Sequence, residues 1–399
     1  MSDQFPSVKT SRIYGILSKV GGDADLHACA DRWRAALFIF AAVAVRSSTA
    51  HVEIDHAAIA RASLTEVIRP GYAALATTTG VLKGKVEALC TQPSAEALDQ
   101  AKTAFAGAMD AWSKVEILRF GPITQDQRYE RLFHWPDPNG IGLRQVQDTL
   151  VKHENSVTLP DELAAKSVAL QGLPALEYLL YGDGAEALTK DNRVVDGVEP
   201  LPNVDSEGAF RCSFALSVAT SISRIARNVV EGWRDGSAYE KAFLGPAPDN
   251  RLYHTPKEVT LDLFKSFASG IELVRDEKLG KPLGATSDEA KPKLAAFWRS
   301  NLAFANAAGN LEGVRTLFVQ GAFAKVVAQE SPGIEDSILF DLNHAIQVLK
   351  GMNEPFATVA TDDILRTKIA AVRVELKNAA QTAGDMISRG AGLAFGSRG

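Results

Sequence analysis

The 399-residue sequence lacks the features that mark membrane-spanning, disordered or nucleic-acid-binding proteins. It has no apolar run close to the roughly 18 to 20 residues that a membrane-spanning helix needs. The formal net charge is −5, whereas nucleic-acid-binding domains usually carry a basic excess or a basic stripe. Glycine (31 residues) and proline (17 residues) are near their average frequencies. The composition therefore predicts a globular protein without a membrane-spanning segment in its folded part and without a nucleic-acid partner.

The motifs of the common enzyme classes are also missing. The sequence contains no HExxH, GxSxG, GxGxxG or phosphate-binding GxxxxGK[ST] pattern. Its seven histidines are scattered, and none in the predicted folded part pair at the spacing by which a helix presents two zinc ligands. These absences argue against a standard hydrolase, nucleotide-binding enzyme or zinc protease.

Cysteine is scarce, with three residues in the chain. Cys29 lies in a predicted leader, which leaves Cys90 and Cys212 in the folded part. Two cysteines so far apart in sequence do not resemble a metal-binding knuckle. In an oxidising compartment they could form a disulfide, and otherwise they would be buried free thiols; the sequence leaves both possibilities open.

The N-terminal residues resemble a signal peptide. The longest apolar run, 35–45, follows Arg32 and Arg34 and precedes Ser48 and Ala50, so residues 1–50 are predicted to be a leader cleaved before His51. The alternative is a short buried helix. The charged stretch before the apolar run is long for a leader, and initiation at Val20 or Leu26 would leave one of ordinary length. Cleavage would remove six basic and four acidic side chains, leave a net charge of −7, and place the mature protein in the periplasm or bacterial cell envelope.

The remaining sequence predicts an all-α fold. Ser94 is suited to cap a helix in which apolar residues recur at spacings of three and four. That apolar stripe is formed by Leu98, Ala101, Phe105, Ala108, Trp112 and Val115. Further helices are predicted at about 160–171, 208–234, 257–276, 288–329, 333–351 and 361–388. The polar segment 183–207 divides the domain, residues 52–396, into two antiparallel helical bundles at 52–190 and 207–396.

Two groups of residues are candidates for a binding site. In the first, Trp112, Glu116 and Arg119 have the spacing of one helical face, and His134 and Trp135 follow in an aromatic, proline-rich loop. A carboxylate beside a guanidinium could bind a polar ligand. The alternative is an intrahelical Glu116–Arg119 pair over a core tryptophan.

The second group surrounds a predicted helix break at Gly172 and Pro174. A helix that restarts at Pro174 would leave free N–H groups, which favour a carboxylate or a bound anion near Glu177. Alternatively, Glu177 merely neutralises the positive end of the helix.

The second group lies in Gly172-Leu173-Pro174-Ala175-Leu176-Glu177-Tyr178-Leu179-Leu180-Tyr181-Gly182, which resembles the Gly-x-His-x-x-Glu signature of imelysin-like proteins. Three other segments resemble landmarks of that family in the same order along the chain. They are Ala111-Trp112 to Phe120-Gly121-Pro122, a predicted helix with Phe297-Trp298-Arg299-Ser300, and Gly392-Leu393-Ala394-Phe395-Gly396. The resemblance covers roughly residues 52–396.

This resemblance implies a two-bundle protein of the bacterial envelope that is tied to iron supply, with a site between the bundles. The family is named for a metallopeptidase activity in which the His and Glu of the motif would bind metal. Here Pro174 occupies the histidine position, and proline has no side-chain donor atom. Gly172 and Glu177 match the motif, whereas the histidine's role has no counterpart.

The sequence thus predicts a periplasmic, non-catalytic metal-binding or ligand-binding accessory of iron acquisition. The expected ligand-binding residues are Gly172, Pro174, Glu177, Trp112, Glu116, Arg119, His134 and Trp135. Glu177, Glu116 and His134 are the candidate ligands for iron or another divalent metal, and Arg119 suits a small organic anion. The alternatives are an imelysin-type metallopeptidase and a scaffold that binds another envelope protein in the groove between the bundles.

Overall fold

Helices dominate the fold. The computed structural model describes residues 54–190 and 207–390, and in these two ranges it contains no β-strand, which confirms the predicted all-α class. The predicted leader, much of the polar segment before residue 207, and the Gly392–Gly396 landmark lie outside the described residues. None of the described helices is both long enough and apolar enough to cross a membrane.

The described residues form sixteen α-helices, joined by shorter helical turns. The α-helices are α1 His56–Ala62, α2 Arg69–Thr91, α3 Ala95–Val115, α4 Arg128–Leu132, α5 Ile141–Lys152, α6 Pro160–Leu163, α7 Gly172–Tyr181, α8 Glu207–Gly232, α9 Ala238–Leu244, α10 Pro256–Glu272, α11 Lys281–Leu283, α12 Ala303–Gln320, α13 Phe323–Glu330, α14 Ile334–Lys350, α15 Phe356–Thr361 and α16 Asp363–Gly390. Two π-helical segments, Ser63–Ile68 and Leu273–Gly280, lead directly into α2 and α11.

Helix α3 forms as its sequence predicts. The Ser94 side chain accepts a hydrogen bond from the backbone N–H of Ala97 (3.0 Å), which satisfies one of the unpaired donors of the first turn. All six residues of the predicted apolar stripe are buried. Because the helix ends at Val115, however, Arg119 lies beyond it and is not on a shared helical face with Trp112 and Glu116.

The helices pack in two groups. In the first, α2 lies against α3 and α8, and α7 packs on α8; in the second, α12, α14 and α16 pack together with α10. Helix α12 also packs on α3, which joins the two groups through a common apolar core. The division of the domain at residues 190 and 207 stays a prediction. Helix α8, which begins at Glu207 and falls in the predicted second bundle, packs with the first group of helices.

The predicted helix 160–171 is wrong, and the predicted helix 288–329 is wrong in its first part, before α12 begins at Ala303. The region 160–171 contains only the one-turn helix α6 and a 3-10 turn, Val168–Leu170. The region 288–302 contains a 3-10 turn, Pro292–Leu294, followed by irregular backbone with positive φ at Phe297 (57°) and Asn301 (59°). Positive φ is unfavourable for residues with a Cβ, so tertiary contacts must hold this segment in place.

Helix α7 is fixed at both ends. At its start, Gly172 has φ +75°, and a Cβ there would lie 2.4 Å from the carbonyl oxygen of Leu132, so only glycine fits this approach. At its end, the buried Arg211 guanidinium donates to the carbonyl oxygens of Tyr178 (2.9 Å) and Leu179 (2.9 Å). These carbonyls belong to the last turn of the helix, where such groups otherwise lack partners. The Glu177 carboxylate is therefore carried on a rigidly positioned helix.

A disulfide between Cys90 and Cys212 connects the end of α2 to α8. The two residues are 122 positions apart in sequence, and their Cα atoms are 5.5 Å apart. Of the two possibilities that the sequence left open, the structure contains the disulfide.

Removing this cross-link should destabilise the fold. We expect Cys90→Ala/Cys212→Ala to lower the free energy of unfolding by about 2–4 kcal/mol, because a long loop of the unfolded chain is no longer closed. Urea denaturation followed by circular dichroism measures the change. Dithiothreitol should lower the midpoint of the wild type and leave that of the double variant unchanged; equal midpoints for the oxidised wild type and the variant would contradict the expectation.

Candidate functional site

A cavity of about 250 Å³ lies where the two groups of helices meet. One wall comes from the loop and helix α5 that follow Phe133, and a second comes from the start of α7. The third wall is the irregular segment 293–299, which precedes α12. The aromatic lining consists of Phe133, Trp135, Tyr178, Phe297 and Trp298, and the ionisable lining of His134, Asp137, Glu177, Lys293 and Arg299.

Glu177 lies in the wall of this cavity with only 3% of its surface exposed. Its Oε1 accepts two hydrogen bonds from Ser300, one from the backbone N–H (2.9 Å) and one from the hydroxyl (2.7 Å). The positive φ values of Phe297 and Asn301 shape the segment that presents Ser300 to α7. Glu177 thus joins α7, the helix that carries the imelysin-like motif, to the segment before α12.

Burial raises the pKa of Glu177, because the apolar surroundings disfavour its charged form. The two Ser300 hydrogen bonds and the positive charge of Arg299 act in the opposite direction and offset part of this shift. The carboxyl group therefore takes up a proton more readily than an exposed glutamate does.

Arg299 is the main cationic group of the cavity. Its guanidinium carbon lies 4.3 Å from the ring centre of Trp298 and 5.2 Å from that of Tyr178. Burial lowers its pKa, with Glu177, Asp183 and Asp137 opposing the shift through longer-range attraction. Within residues 54–190 and 207–390 the guanidinium forms no ion pair or hydrogen bond, so its N–H donors remain available.

The predicted loop residues His134 and Trp135 do line the cavity. The indole N–H of Trp135 donates to the carbonyl oxygen of Leu294 (3.1 Å), which links the loop to the third wall. Asp137, also in this loop, accepts hydrogen bonds from the N–H groups of Ile141 (2.9 Å) and Leu143 (3.2 Å) and thereby caps α5. Its carboxylate is therefore engaged in holding the helix.

Glu116 lies outside the cavity, in the protein core. It is fully buried, and its Oε2 lies 2.8 Å from the ammonium of Lys278, which is itself 2% exposed. Asn310 donates to the same oxygen (3.0 Å), while Asn306 contacts both Lys278 and Ser113. Glu116 is thus a structural ion-pair partner across α3, the second π-helical segment and α12.

The other two members of the first predicted group also lie outside the cavity. Trp112 is fully buried and packs against Tyr129 and Phe133, with ring centres 5.3 and 5.9 Å apart. Arg119 is exposed, and its guanidinium carbon lies 4.9 Å from the ring centre of Tyr129. The intrahelical Glu116–Arg119 pair, which the sequence offered as the alternative, is absent from the described residues: α3 ends at Val115, before both residues, and Glu116 pairs with Lys278 instead.

The three predicted metal ligands are not brought together. Glu177 and His134 line the cavity, whereas Glu116 is paired with Lys278 in the core. Pro174 lines the cavity at the motif's histidine position and offers no donor atom. No group of three or more His, Cys, Asp or Glu residues that could hold a metal ion occurs in the described part of the chain. The donors present do not fit the metal site that the resemblance implies.

The sequence interpretation missed Arg299, Ser300 and Lys293 as site residues. Arg299 and Ser300 belong to the Phe297-Trp298-Arg299-Ser300 landmark, but the helix predicted over 288–329 did not allow for the irregular backbone there; no sequence signal indicated Lys293. That backbone places the Ser300 N–H and the Arg299 side chain at the cavity together. The Glu177 contact spans 123 residues of sequence, so local spacing could not show it.

Comparison with known families identifies the fold. The family model described as imelysin (peptidase M75) matches residues 68–383. The chain belongs to the imelysin family. This match agrees with the resemblance carried by Gly172, Glu177 and the other landmarks.

Individual relatives are distant. Iron-regulated protein A of Synechococcus elongatus is 20% identical over 305 residues, which cover 73% of this chain and 75% of that protein. A crystal structure of an imelysin-like protein from Psychrobacter arcticum has a TM-score of 0.68 and 17% identity, and covers 86% of this chain and 98% of that one. A Parabacteroides distasonis structure, described as an iron-regulated protein A precursor, has a TM-score of 0.66 and 14% identity, covering 83% and 94%. At these identities the structures establish the shared imelysin-like fold.

Because the pKa of Glu177 is raised, we expect the effect of Glu177→Gln on the stability of the fold to depend on pH. A group whose pKa is higher in the folded state stabilises the fold at low pH and loses that contribution as rising pH ionises it. The glutamine can still accept both Ser300 hydrogen bonds and never ionises. The variant's melting temperature, relative to wild type, should therefore rise as the pH increases from the ordinary glutamate pKa of 4.5 towards neutrality.

Thermal melting followed by circular dichroism across this range checks the expectation. Glu186→Gln, a glutamate in the 3-10 turn Ala185–Thr189, serves as a control and should show no such trend. If the melting temperature of Glu177→Gln relative to wild type falls as the pH rises, the pKa of Glu177 is not raised in the folded state.

Proposed function

We propose that this protein is an exported, non-catalytic binding protein of iron acquisition that holds a small organic anion in the cavity beside Glu177. The observation that carries this proposal is the Arg299 guanidinium, which faces the cavity without a carboxylate partner among the described residues. A cation kept in an apolar, partly buried wall is costly unless an anion can neutralise it. Arginine is also the side chain best suited to pair with a carboxylate through two parallel hydrogen bonds.

The cationic side chains of the cavity have more hydrogen-bonding capacity left for a ligand than its carboxylates have, which supports an anionic ligand. Lys293 adds a second positive charge, with its ammonium 5.6 Å from the ring centre of Trp298. Of the two cavity carboxylates, Asp137 caps α5, and Glu177 accepts two hydrogen bonds from Ser300 through one oxygen. Iron would thus enter this cavity as part of an anionic chelate.

The same residues support a binding role over a peptidase role. Metal-dependent hydrolysis needs about three protein ligands, an open position for water and a general base. Pro174 removes the motif's histidine, and Glu116 is held by Lys278 in the core. Too few donor groups remain at the cavity to assemble such a centre.

The connection to iron acquisition rests on the relatives. The Synechococcus protein and the Parabacteroides protein both carry the name iron-regulated protein A. Carboxylate-bearing chelates are anions that solubilise ferric iron, whose hard charge prefers oxygen ligands. An Arg-containing cavity is suited to such a ligand.

Export to the periplasm is supported by two independent features of this chain. Residues 1–50 have the layout of a leader, and the folded part contains the Cys90–Cys212 disulfide. Disulfides persist in oxidising compartments such as the bacterial periplasm and are rare in the cytosol.

Arg299→Gln should weaken anion binding about 10-fold to 100-fold, because it removes a charge-assisted hydrogen bond of about 1.5–3 kcal/mol. Isothermal titration calorimetry with citrate, ferric citrate and benzoate measures the change. Arg315→Gln is the matched control: Arg315 lies on α12 and contacts Asn343 (2.8 Å), so binding should be unchanged. Equal affinities for wild type and Arg299→Gln, or no saturable binding of any of these anions to wild type at millimolar concentration, would refute the proposal.

The export proposal predicts the N-terminus of the mature protein. Mass spectrometry of the protein from the periplasmic fraction should find an N-terminal peptide that begins at His51. An exported protein that retains Ser2 would contradict a cleaved leader.

A further inference from the structure

We propose that the ligand class of this cavity is the aromatic carboxylates, bound with the carboxylate on Arg299 and the ring against the cavity's aromatic side chains. This inference rests on the proposed anion-binding function and adds the shape and chemistry of the rest of the ligand. It is carried by two observations at the same cavity: Arg299 lies over two aromatic rings, and a row of three further rings lines the cavity.

The first observation is how Arg299 is held. Its guanidinium carbon lies over the rings of both Trp298 (4.3 Å) and Tyr178 (5.2 Å). Contact with ring faces leaves the N–H groups at the guanidinium edge to pair with a ligand. A carboxylate that accepts hydrogen bonds from two of these N–H groups lies near the guanidinium plane, so pairing with Arg299 also orients the carboxylate.

The second observation is a row of three aromatic rings in the cavity wall, which the rest of the ligand would contact. Phe297, Phe133 and Trp135 form a stacked row: the Phe133 ring centre is 5.2 Å from that of Phe297 and 5.9 Å from that of Trp135. Their planes are inclined by only 21° and 27° at these two contacts. All three rings line the cavity.

A flat acid fits this combination better than a flexible or bulky one. In an aromatic carboxylate the ring is conjugated with, and nearly coplanar with, its carboxylate. Pairing with Arg299 therefore also fixes the ring plane, without the entropy cost of freezing a torsion. Ring contacts in stacked or edge-to-face geometry then add to simple apolar burial.

The row of rings is itself held rigidly. On the side of the protein core, the ammonium of the buried Lys278 contacts two of these rings: it lies 5.1 Å from the ring centre of Phe133 and 4.9 Å from that of Trp135. The Trp135 indole N–H is engaged with Leu294. The aromatic surface is thus preorganised before a ligand arrives, which favours a ligand that is rigid as well.

The test compares benzoate with cyclohexanecarboxylate, two monoanions with the same number of carbon atoms that differ in the flatness and aromaticity of the ring. Calorimetric titration of the full chain should give an affinity for benzoate about threefold to tenfold higher, the range expected from aromatic contacts beyond area burial. Trp135→Leu, which removes one ring of the stacked row and leaves the rings that contact Arg299 in place, should bring the ratio of the two affinities close to one. Arg299→Gln should weaken both acids, and Arg315→Gln should change neither. Circular dichroism verifies that each variant is folded.

The outcomes separate this inference from the proposed function. If both acids bind equally to wild type and both depend on Arg299, anion binding stands and the aromatic class is refuted. If neither acid binds at millimolar concentration, both the anion site and the aromatic class are refuted. A benzoate preference that persists undiminished in folded Trp135→Leu refutes the proposed contact between the ligand ring and the row of aromatic side chains.

Discussion

The contact between Glu177 and Ser300 is the interaction on which the candidate site depends. It joins a helix of the first group to an irregular segment leading into the second group, across 123 residues of sequence. One carboxylate oxygen accepts both the N–H and the hydroxyl of Ser300, and this arrangement requires a backbone with positive φ at Phe297 and Asn301. The same turn places Arg299 over Tyr178 and Trp298. The contact therefore couples Arg299 and its segment of the cavity wall to α7.

Helix α7, which carries the motif, is suited to this role because contacts with other parts of the chain hold both of its ends in place. Gly172 allows the backbone to approach Leu132, and Arg211 donates to the carbonyl oxygens of the last turn. Pro174 lies in the first turn of α7, where a missing backbone N–H costs no intrahelical hydrogen bond. Gly172 and Glu177 are therefore held in fixed positions, and Pro174 occupies the position at which the imelysin signature has a histidine. That position lines the cavity and offers it no donor atom.

Behind the cavity, a second polar cluster supports the aromatic wall. The Glu116–Lys278 pair is buried between α3 and the π-helical segment 273–280, with Asn306 and Asn310 as further partners. Burial lowers the pKa of Lys278, while Glu116 opposes the shift. The ammonium also lies on the rings of Phe133 and Trp135. Burying a charged pair of this kind costs free energy. Its contacts with the rings of Phe133 and Trp135 help to fix the positions of those rings.

The sequence by itself determined the helical class, the cap and buried stripe of α3 and the imelysin resemblance with the motif that contains Glu177, because helix periodicity and short motifs are local properties. It placed Trp112, Glu116 and Arg119 in one site, since spacing cannot tell a core face from a cavity face or show that α3 ends before Arg119. It also predicted helix across Arg299 and Ser300. Their irregular backbone is stabilised by contacts with residues more than a hundred positions away, and only the tertiary structure brings those partners together.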